Sequence, residues 1–200
     1  MFQPKISNEQ TSQLPTLAFE GEVVVIDSME SVASACEDMR RWSVLGFDTE
    51  TRPSFKAGVT YKVALLQLST PEKCYLFRLS HMALPVEVIR ILESPKIIKL
   101  GADILNDIRA LKQLKRFTER GFIDLQKIIH EWGIEEKSLR KMSAIVLGQR
   151  ISKAQRLSNW AAVQLTKQQI TYAATDAWAC IEIYNKLLVT EKENDSKTIS

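Results

Sequence analysis

The sequence predicts an α/β fold built on a central mixed β-sheet, on three observations. Short β-branched or apolar runs, Val23-Val24-Val25-Ile26, Val44-Leu45-Gly46-Phe47 and Lys62–Leu68, are separated by stretches with helical spacing of apolar residues. The runs 62–68 and 74–77 are joined only by a turn at Pro71-Glu72-Lys73, which makes them antiparallel neighbours. The order then becomes strand–helix–strand–helix, and helices dominate the last third, so flanking helices cover a sheet of mixed direction.

Residues 1–20 are polar, interrupted by Pro4 and Pro15, and without periodicity; they read as a loose, flexible leader. The domain proper is expected over 21–190. Val23–Ile26 is its first strand, and Asp27 or Ser28 caps a helix with Val32, Cys36 and Met39 on one stripe. A buried strand over 44–49 is broken by Arg52-Pro53-Ser54. The hairpin 62–77 follows, then a helix carrying Val86, Ile89 and Leu92 that Pro95 stops. Ile97–Leu100 is a strand running into Gly101, and a helix with Ile104, Ile108 and Leu111 begins after Asp103. Phe122-Ile123-Asp124 leads to a helix through Leu125, Ile128 and Ile129. Ser138–Leu147 is a helix ended by Gly148, and 149–159 is a basic loop. The last helix opens at Thr166, with Gln169 at capping-box spacing, and runs to about Val189. Residues 191–200 are a polar, flexible tail.

Composition narrows the function class. A chain of 200 residues with 45% hydrophobic and 26% charged residues is ordinary for one globular domain. No apolar run approaches ~18 residues, so no transmembrane helix is expected. The first twenty residues lack a secretory pattern, and Cys36, Cys74 and Cys180 are widely spaced. Those features fit a reducing compartment, with the cytoplasm as the default location. Only His81 and His130 are present, which argues against a Cys/His zinc site. The net charge of +3 is unevenly spread: residues 137–175 contain seven basic residues and no Asp or Glu. Such a stretch suits a polyanion, with a solvated helical face as the plainer explanation.

The chemistry is concentrated at Phe47-Asp48-Thr49-Glu50. On a strand, Asp48 and Glu50 share one face, and two adjacent carboxylates repel unless a cation lies between them. Further on, Asp107 lies one turn into a helix and Asp103 at its N-cap position; capping and the helix dipole are sufficient structural reasons for acids there. In Tyr172-Ala173-Ala174-Thr175-Asp176, Tyr172 and Asp176 share a helix face, and the small residues allow close approach to a sheet. Asp48, Glu50, Asp107 and Asp176 together offer hard oxygen donors suited to Mg²⁺ or Mn²⁺. Two such ions ~3.5–4 Å apart can serve phosphodiester cleavage. With an ordinary pKa of ~10, Tyr172 is better suited to orienting a water than to deprotonating it.

The set Asp48-Thr49-Glu50, Asp107 and Tyr172-x-x-x-Asp176 resembles the DEDD superfamily of 3′–5′ exonucleases, in the tyrosine subtype that includes ribonuclease D. The segments KVALLQLS (62–69), CYLF (74–77) and LSNWAAVQLTKQQITYAATDAW (157–178) resemble Werner-type exonuclease domains. The similarity spans about 22–190.

The resemblance implies a ribonuclease H-like fold. It implies a metal-dependent 3′–5′ exonuclease with two divalent ions, Mg²⁺ or Mn²⁺, releasing nucleoside 5′-monophosphates. Asp48, Glu50 and Asp176 would bind metal directly, Asp107 would assist through metal or water, and Tyr172 would orient the water. Asp107 is preferred to Asp103 because its distance from Gly101 matches the family and because Asp103 is expected to act as the cap. Thr49 is expected at the substrate, and Arg156, Asn159 and Trp160 near the substrate or bracing the site; the substrate is a nucleic acid with a free 3′ end, DNA before RNA. The chain reads as a minimal catalytic domain, so processivity would come from a homo-oligomer or a protein partner. The alternative is a catalytically inactive nucleic-acid-binding module of the same fold.

Overall fold

A computed structural model describes residues 2–191. Its core is a six-stranded sheet: β1 (Glu22–Ile26), β2 (Val44–Thr51), β3 (Val63–Ser69), β4 (Lys73–Phe77), β5 (Ile98–Gly101) and β6 (Phe122–Asp124). The spatial order is β1-β4-β3-β2-β5-β6. β4, β3 and β2 are successive antiparallel neighbours; β1 lies parallel to β4, and β5 and β6 continue parallel to β2. The sheet is mixed, as expected, and its antiparallel centre is the 62–77 hairpin plus the acid-bearing strand.

The pleat sorts side chains into two layers. Leu45 and Phe47 of β2, Leu66 and Leu68 of β3, and Tyr75 and Phe77 of β4 face one side. They pack against apolar stripes of α2 (Val32–Met39), α3 (Val86–Leu92) and α4 (Ile104–Leu114). The opposite face carries Leu65 and Leu76, covered by Ala173 and Ala174 of α7 (Lys167–Leu188) and by Trp160. α6 (Leu139–Leu147), capped by Ser138 and closed by Gly148 at φ +67°, packs outside α7. The short α5 (Leu125–Ile128) is capped by Asp124. Thr166 and Gln169 form the capping box at the start of α7.

Three features differ from the sequence reading. Residues 2–20 are not loose. Ser7 and Gln10 form a capping box on α1 (Asn8–Gln13), and Ile6, Thr11, Leu17 and Phe19 are buried. Leu17 donates its N–H to the Arg150 carbonyl at 2.8 Å, and Phe19 donates to Thr175 Oγ1 at 3.0 Å. The segment lacks periodicity because it buries single residues against loops and α7 rather than one amphipathic face. Secondly, Asp103 occupies the N-cap position of α4, but its side chain makes no capping bond. Its φ is +63°, its side chain is exposed, and its N–H is donated to Asp124 Oδ1 at 3.1 Å. Thirdly, part of the basic stretch is engaged internally. Arg150 Nε donates to the Leu14 carbonyl at 3.1 Å, and Lys141 pairs with Glu136 at 2.6 Å. The expected 191–200 tail lies, apart from Glu191, outside the described residues.

Candidate active site

The site forms where β2 ends. The pairing of β2 with β3 slips immediately after Glu50, a bulge that ends regular pairing and re-aims the chain. Asp48 and Glu50 point to the α7 face, as alternation requires. α7 reaches them because Gly46 lacks a side chain: a Cβ there would lie 2.0 Å from the Ala177 carbonyl oxygen. Ala173, Ala174 and Ala177 are fully buried at this crossing. The close approach places oxygens of Asp48, Glu50 and Asp176 within 4.8 Å of one another.

Asp107 arrives from the other layer. Gly101 permits its approach: a Cβ there would meet Ile104 Cγ2 at 2.4 Å and the Phe47 carbonyl oxygen at 2.8 Å. α4 therefore starts hard against β2, and Asp107 Oδ1 accepts a hydrogen bond from the Thr49 hydroxyl. Thr49 also donates its N–H to Asp48 Oδ1 at 2.9 Å. One residue thus links the carboxylates of the two faces. Asp107 stands outside the tight cluster of three but close enough to repel Asp48 and Glu50. Of the two aspartates at the start of α4, the half-buried Asp107 meets the Asp48–Glu50 segment, and Asp103 is exposed.

Electrostatics follow from burying like charges together. Burial, and then the neighbouring Asp176, Glu50 and Asp107, push Asp48 well above the ordinary carboxylate range. Burial, Asp176 and Asp107 push Glu50 up to about 9. Asp176 rises to about 7 through burial, against the hydrogen bond from Tyr172 that lowers it. Asp107 rises to about 6 through burial, opposed by the Thr49 bond. Carboxyls this close cannot all ionise without a counter-charge. Tyr172, one turn before Asp176, is itself raised by burial and by Asp176 and Glu50, so its hydroxyl stays protonated.

The residues fit a divalent cation. Asp176 Oδ1 is buried and has no hydrogen-bond partner among protein atoms. Such an orphaned oxygen costs about 1–3 kcal/mol or more unless something donates to it or binds it. The donors in the cluster are all carboxylate oxygens, the chemistry of a hard cation.

The residues expected near the substrate separate into three groups. Thr49 is half-buried, with its hydroxyl committed to Asp107. Trp160 is fully buried, so it cannot touch a substrate; its ring packs on Tyr172 at 5.9 Å between centroids and braces it. Arg156 and Asn159 are exposed, and Asn159 lines a cavity with Arg52 and Tyr61. One residue escaped the sequence reading. Gln67 of β3 pairs across from Asp48, on the same face, and is fully buried with neither amide atom partnered among protein atoms. Its signal in the sequence was a lone amide inside the otherwise apolar run Val63–Leu68.

Comparison with known proteins places the chain in a family. Residues 23–190 match the family model described as 3′–5′ exonuclease. The chain is 36% identical over 186 residues to the mouse bifunctional 3′–5′ exonuclease/ATP-dependent helicase WRN, covering 87% of this chain and 13% of that protein. It is 26% identical to a Drosophila melanogaster 3′–5′ exonuclease, covering 94% of this chain and 59% of the relative. The chain thus spans less than two thirds of each relative's length. Among solved structures, Escherichia coli RNase D superposes with a TM-score of 0.75 at 24% identity, over 84% of this chain and 44% of that one. The Aedes aegypti Nibbler EXO domain superposes with a TM-score of 0.73 at 24% identity, over 86% and 90%. The fold is ribonuclease H-like, and the chain belongs to the 3′–5′ exonuclease family.

Proposed function

We propose that this chain is a divalent-metal-dependent 3′–5′ exonuclease. It hydrolyses phosphodiester bonds at the free 3′ end of a nucleic acid and releases nucleoside 5′-monophosphates. The observation that carries the reading is the meeting of Asp48, Glu50 and Asp176, with a buried Asp176 oxygen left unpartnered. Asp48, Glu50 and Asp176 would hold two Mg²⁺ or Mn²⁺ ions, with Asp107 completing the donor set from α4. Bound divalent ions supply polarisation of the phosphodiester and a more acidic water.

The protein's own residues do the positioning. Tyr172, protonated and braced by Trp160, offers a hydroxyl beside Asp176 that orients the attacking water. Thr49 holds Asp107 in place. The exposed Lys153, Arg156 and Lys167 supply positive charge in an acid-free stretch for strand phosphates. The Werner-like segments put DNA first as substrate, and the likeness to RNase D keeps RNA in the comparison. The buried, unpaired thiols of Cys36, Cys74 and Cys180 suit a reducing compartment, which we assign to the cytoplasm.

The test is a time course on 5′-labelled 3′-recessed duplex DNA, single-stranded DNA and single-stranded RNA, with Mg²⁺, Mn²⁺ or EDTA, beside Asp48→Ala. The expected result is a ladder shortening from the 3′ end, abolished by EDTA and by the substitution. Salt-sensitive binding with no metal-dependent product would overturn the reading and identify an inactive binding module.

A further inference from the structure

We propose that Gln67 is a positioning residue of the carboxylate centre: its side-chain amide donates a hydrogen bond to Asp48 and aims that carboxylate for a divalent cation. The proposal rests on the exonuclease reading and deepens it, from the metal ligands to a residue that orients one of them.

Folding alone does not favour an amide at position 67. Every residue of β3 is buried, and from Val63 to Leu68 all the others are apolar. Gln67 is 0% exposed, and neither Oε1 nor Nε2 has a hydrogen-bond partner among protein atoms. A buried amide without partners is less favourable than a hydrocarbon of the same shape. Its place in the strand has to be explained by what stands next to it.

Gln67 lies directly across the ladder from Asp48 on one side and from Leu76 on the other, and Leu65 and Ser69 flank it on the same face of β3. Leu65 and Leu76 offer no acceptor and pack under Ala173 and Ala174 of α7. The Ser69 hydroxyl is committed to the carbonyls of Thr70, at 2.8 Å, and Lys73, at 3.4 Å. Asp48 is the acceptor left beside it. Side chains directly opposite in an antiparallel pair have Cβ atoms about 4.5–5.5 Å apart, a gap that a glutamine spans. The two stand side by side without bonding in this structure. The terminal torsions of both side chains are soft, so turning either one makes the bond.

Metal-binding carboxylates are held by donors behind them, and those donors set the direction of the ligand oxygens. Asp107 has the Thr49 hydroxyl, and Asp176 has the Tyr172 hydroxyl. For Asp48 the side-chain donor is Gln67; the Thr49 N–H, at 2.9 Å, holds only Oδ1, and a carboxylate accepts on two oxygens. An amide also suits the site because it donates without carrying charge. A lysine at position 67 would compete with a cation for the cluster, and a further carboxylate would add to the repulsion among the acids.

The test compares the unsubstituted chain with Gln67→Met, which keeps the length and bulk of the side chain but removes its amide. Isothermal titration with Mn²⁺ is expected to show affinity about 10- to 100-fold weaker in Gln67→Met, the usual effect of losing a hydrogen bond that orients a metal ligand. Thermal melting in EDTA is expected to be level or higher in Gln67→Met, because the unpartnered buried amide is gone. The opposite directions separate positioning from packing: a lower melting temperature accompanying the weaker binding would show a structural role and overturn the proposal. A third readout needs no variant to fold. The side-chain NH₂ resonances of Gln67, followed by NMR in the unsubstituted chain, are expected to shift on addition of Mg²⁺. Resonances that stay in place overturn the proposal, as does unchanged Mn²⁺ affinity in Gln67→Met. Failure of the unsubstituted chain to bind Mn²⁺ overturns the exonuclease reading itself. Metal binding and strand degradation that are indifferent to Gln67→Met overturn only the role of Gln67.

Discussion

Gly46 on β2 and Ala177 on α7 are in backbone contact: a methyl group at position 46 would stand 2.0 Å from the Ala177 carbonyl oxygen. Asp176 precedes Ala177 by one residue, and Asp48 follows Gly46 by two. The distance between the strand acids and the helix acid is therefore set by this contact.

Gly46→Ala is expected to push α7 off the sheet. Overpacking of this kind costs about 1–3 kcal/mol. The larger effect falls on activity, because displacing a reacting group by about 1 Å can cost on the order of 100-fold. Urea unfolding and a nuclease time course measure both. Unchanged stability with full activity would show that the helix contact does not control the site.

The metal-free protein is expected to lose stability as pH rises. In the folded state Asp107, Asp176 and Glu50 titrate at about 6, 7 and 9. In the unfolded chain they titrate near pH 4. The folded state therefore binds more protons, and its advantage is complete below about pH 4 and lost as pH climbs through 6, 7 and 9. EDTA-treated protein should melt at a lower temperature at pH 8.5 than at pH 5.5. Mg²⁺ or Mn²⁺ should narrow the gap, because cations bind the deprotonated carboxylates. A metal-free melting temperature that is level or rises over this range would contradict the electrostatic account.

Tyr172→Phe keeps the ring on Trp160 and removes only the hydroxyl. Folding stability should change by less than about 1 kcal/mol, since the packing survives. The turnover rate should fall about 10²-fold or more with KM little changed, because positioning a water acts in the transition state. A larger rise in KM than fall in kcat would place the hydroxyl on the substrate instead.

Thr49→Val tests the link between the two faces. The replacement is close in shape but removes the hydroxyl that donates to Asp107 from the strand. Metal affinity, followed by isothermal titration with Mn²⁺, should weaken about 10- to 100-fold, the usual effect of removing a hydrogen bond that orients a ligand. Unaltered affinity with unaltered activity would mean that Asp107 is held by α4 alone.

Much of this architecture was legible in the residues, because its signals are local. Alternation placed Asp48 and Glu50 on one face, helical spacing placed Tyr172 with Asp176, and the Thr166–Gln169 box located the start of α7. The packing of residues 2–20 is not legible in their own pattern, because it depends on partners that come late in the chain, Arg150 and Thr175. Asp103 has the composition of a cap but not the geometry, since its backbone is left-handed rather than extended and its side chain makes no capping bond. Trp160 sits in a segment that carries basic residues, yet packing buries it completely behind Tyr172.

The sequence by itself determined the mixed α/β sheet, the shared face of Asp48 and Glu50, the shared face of Tyr172 and Asp176, and a set of hard oxygen donors, because periodicity and donor atoms are properties of the chain. The tertiary structure alone decided that Asp48, Glu50 and Asp176 meet within 4.8 Å and that Asp107 joins them through Thr49 from the other layer. It also decided that Gln67 stands buried beside Asp48. These relations connect residues up to 128 positions apart, from Asp48 to Asp176. They arise only where close contacts at Gly46 and Gly101 let two helices press onto one strand, and no local pattern encodes that convergence.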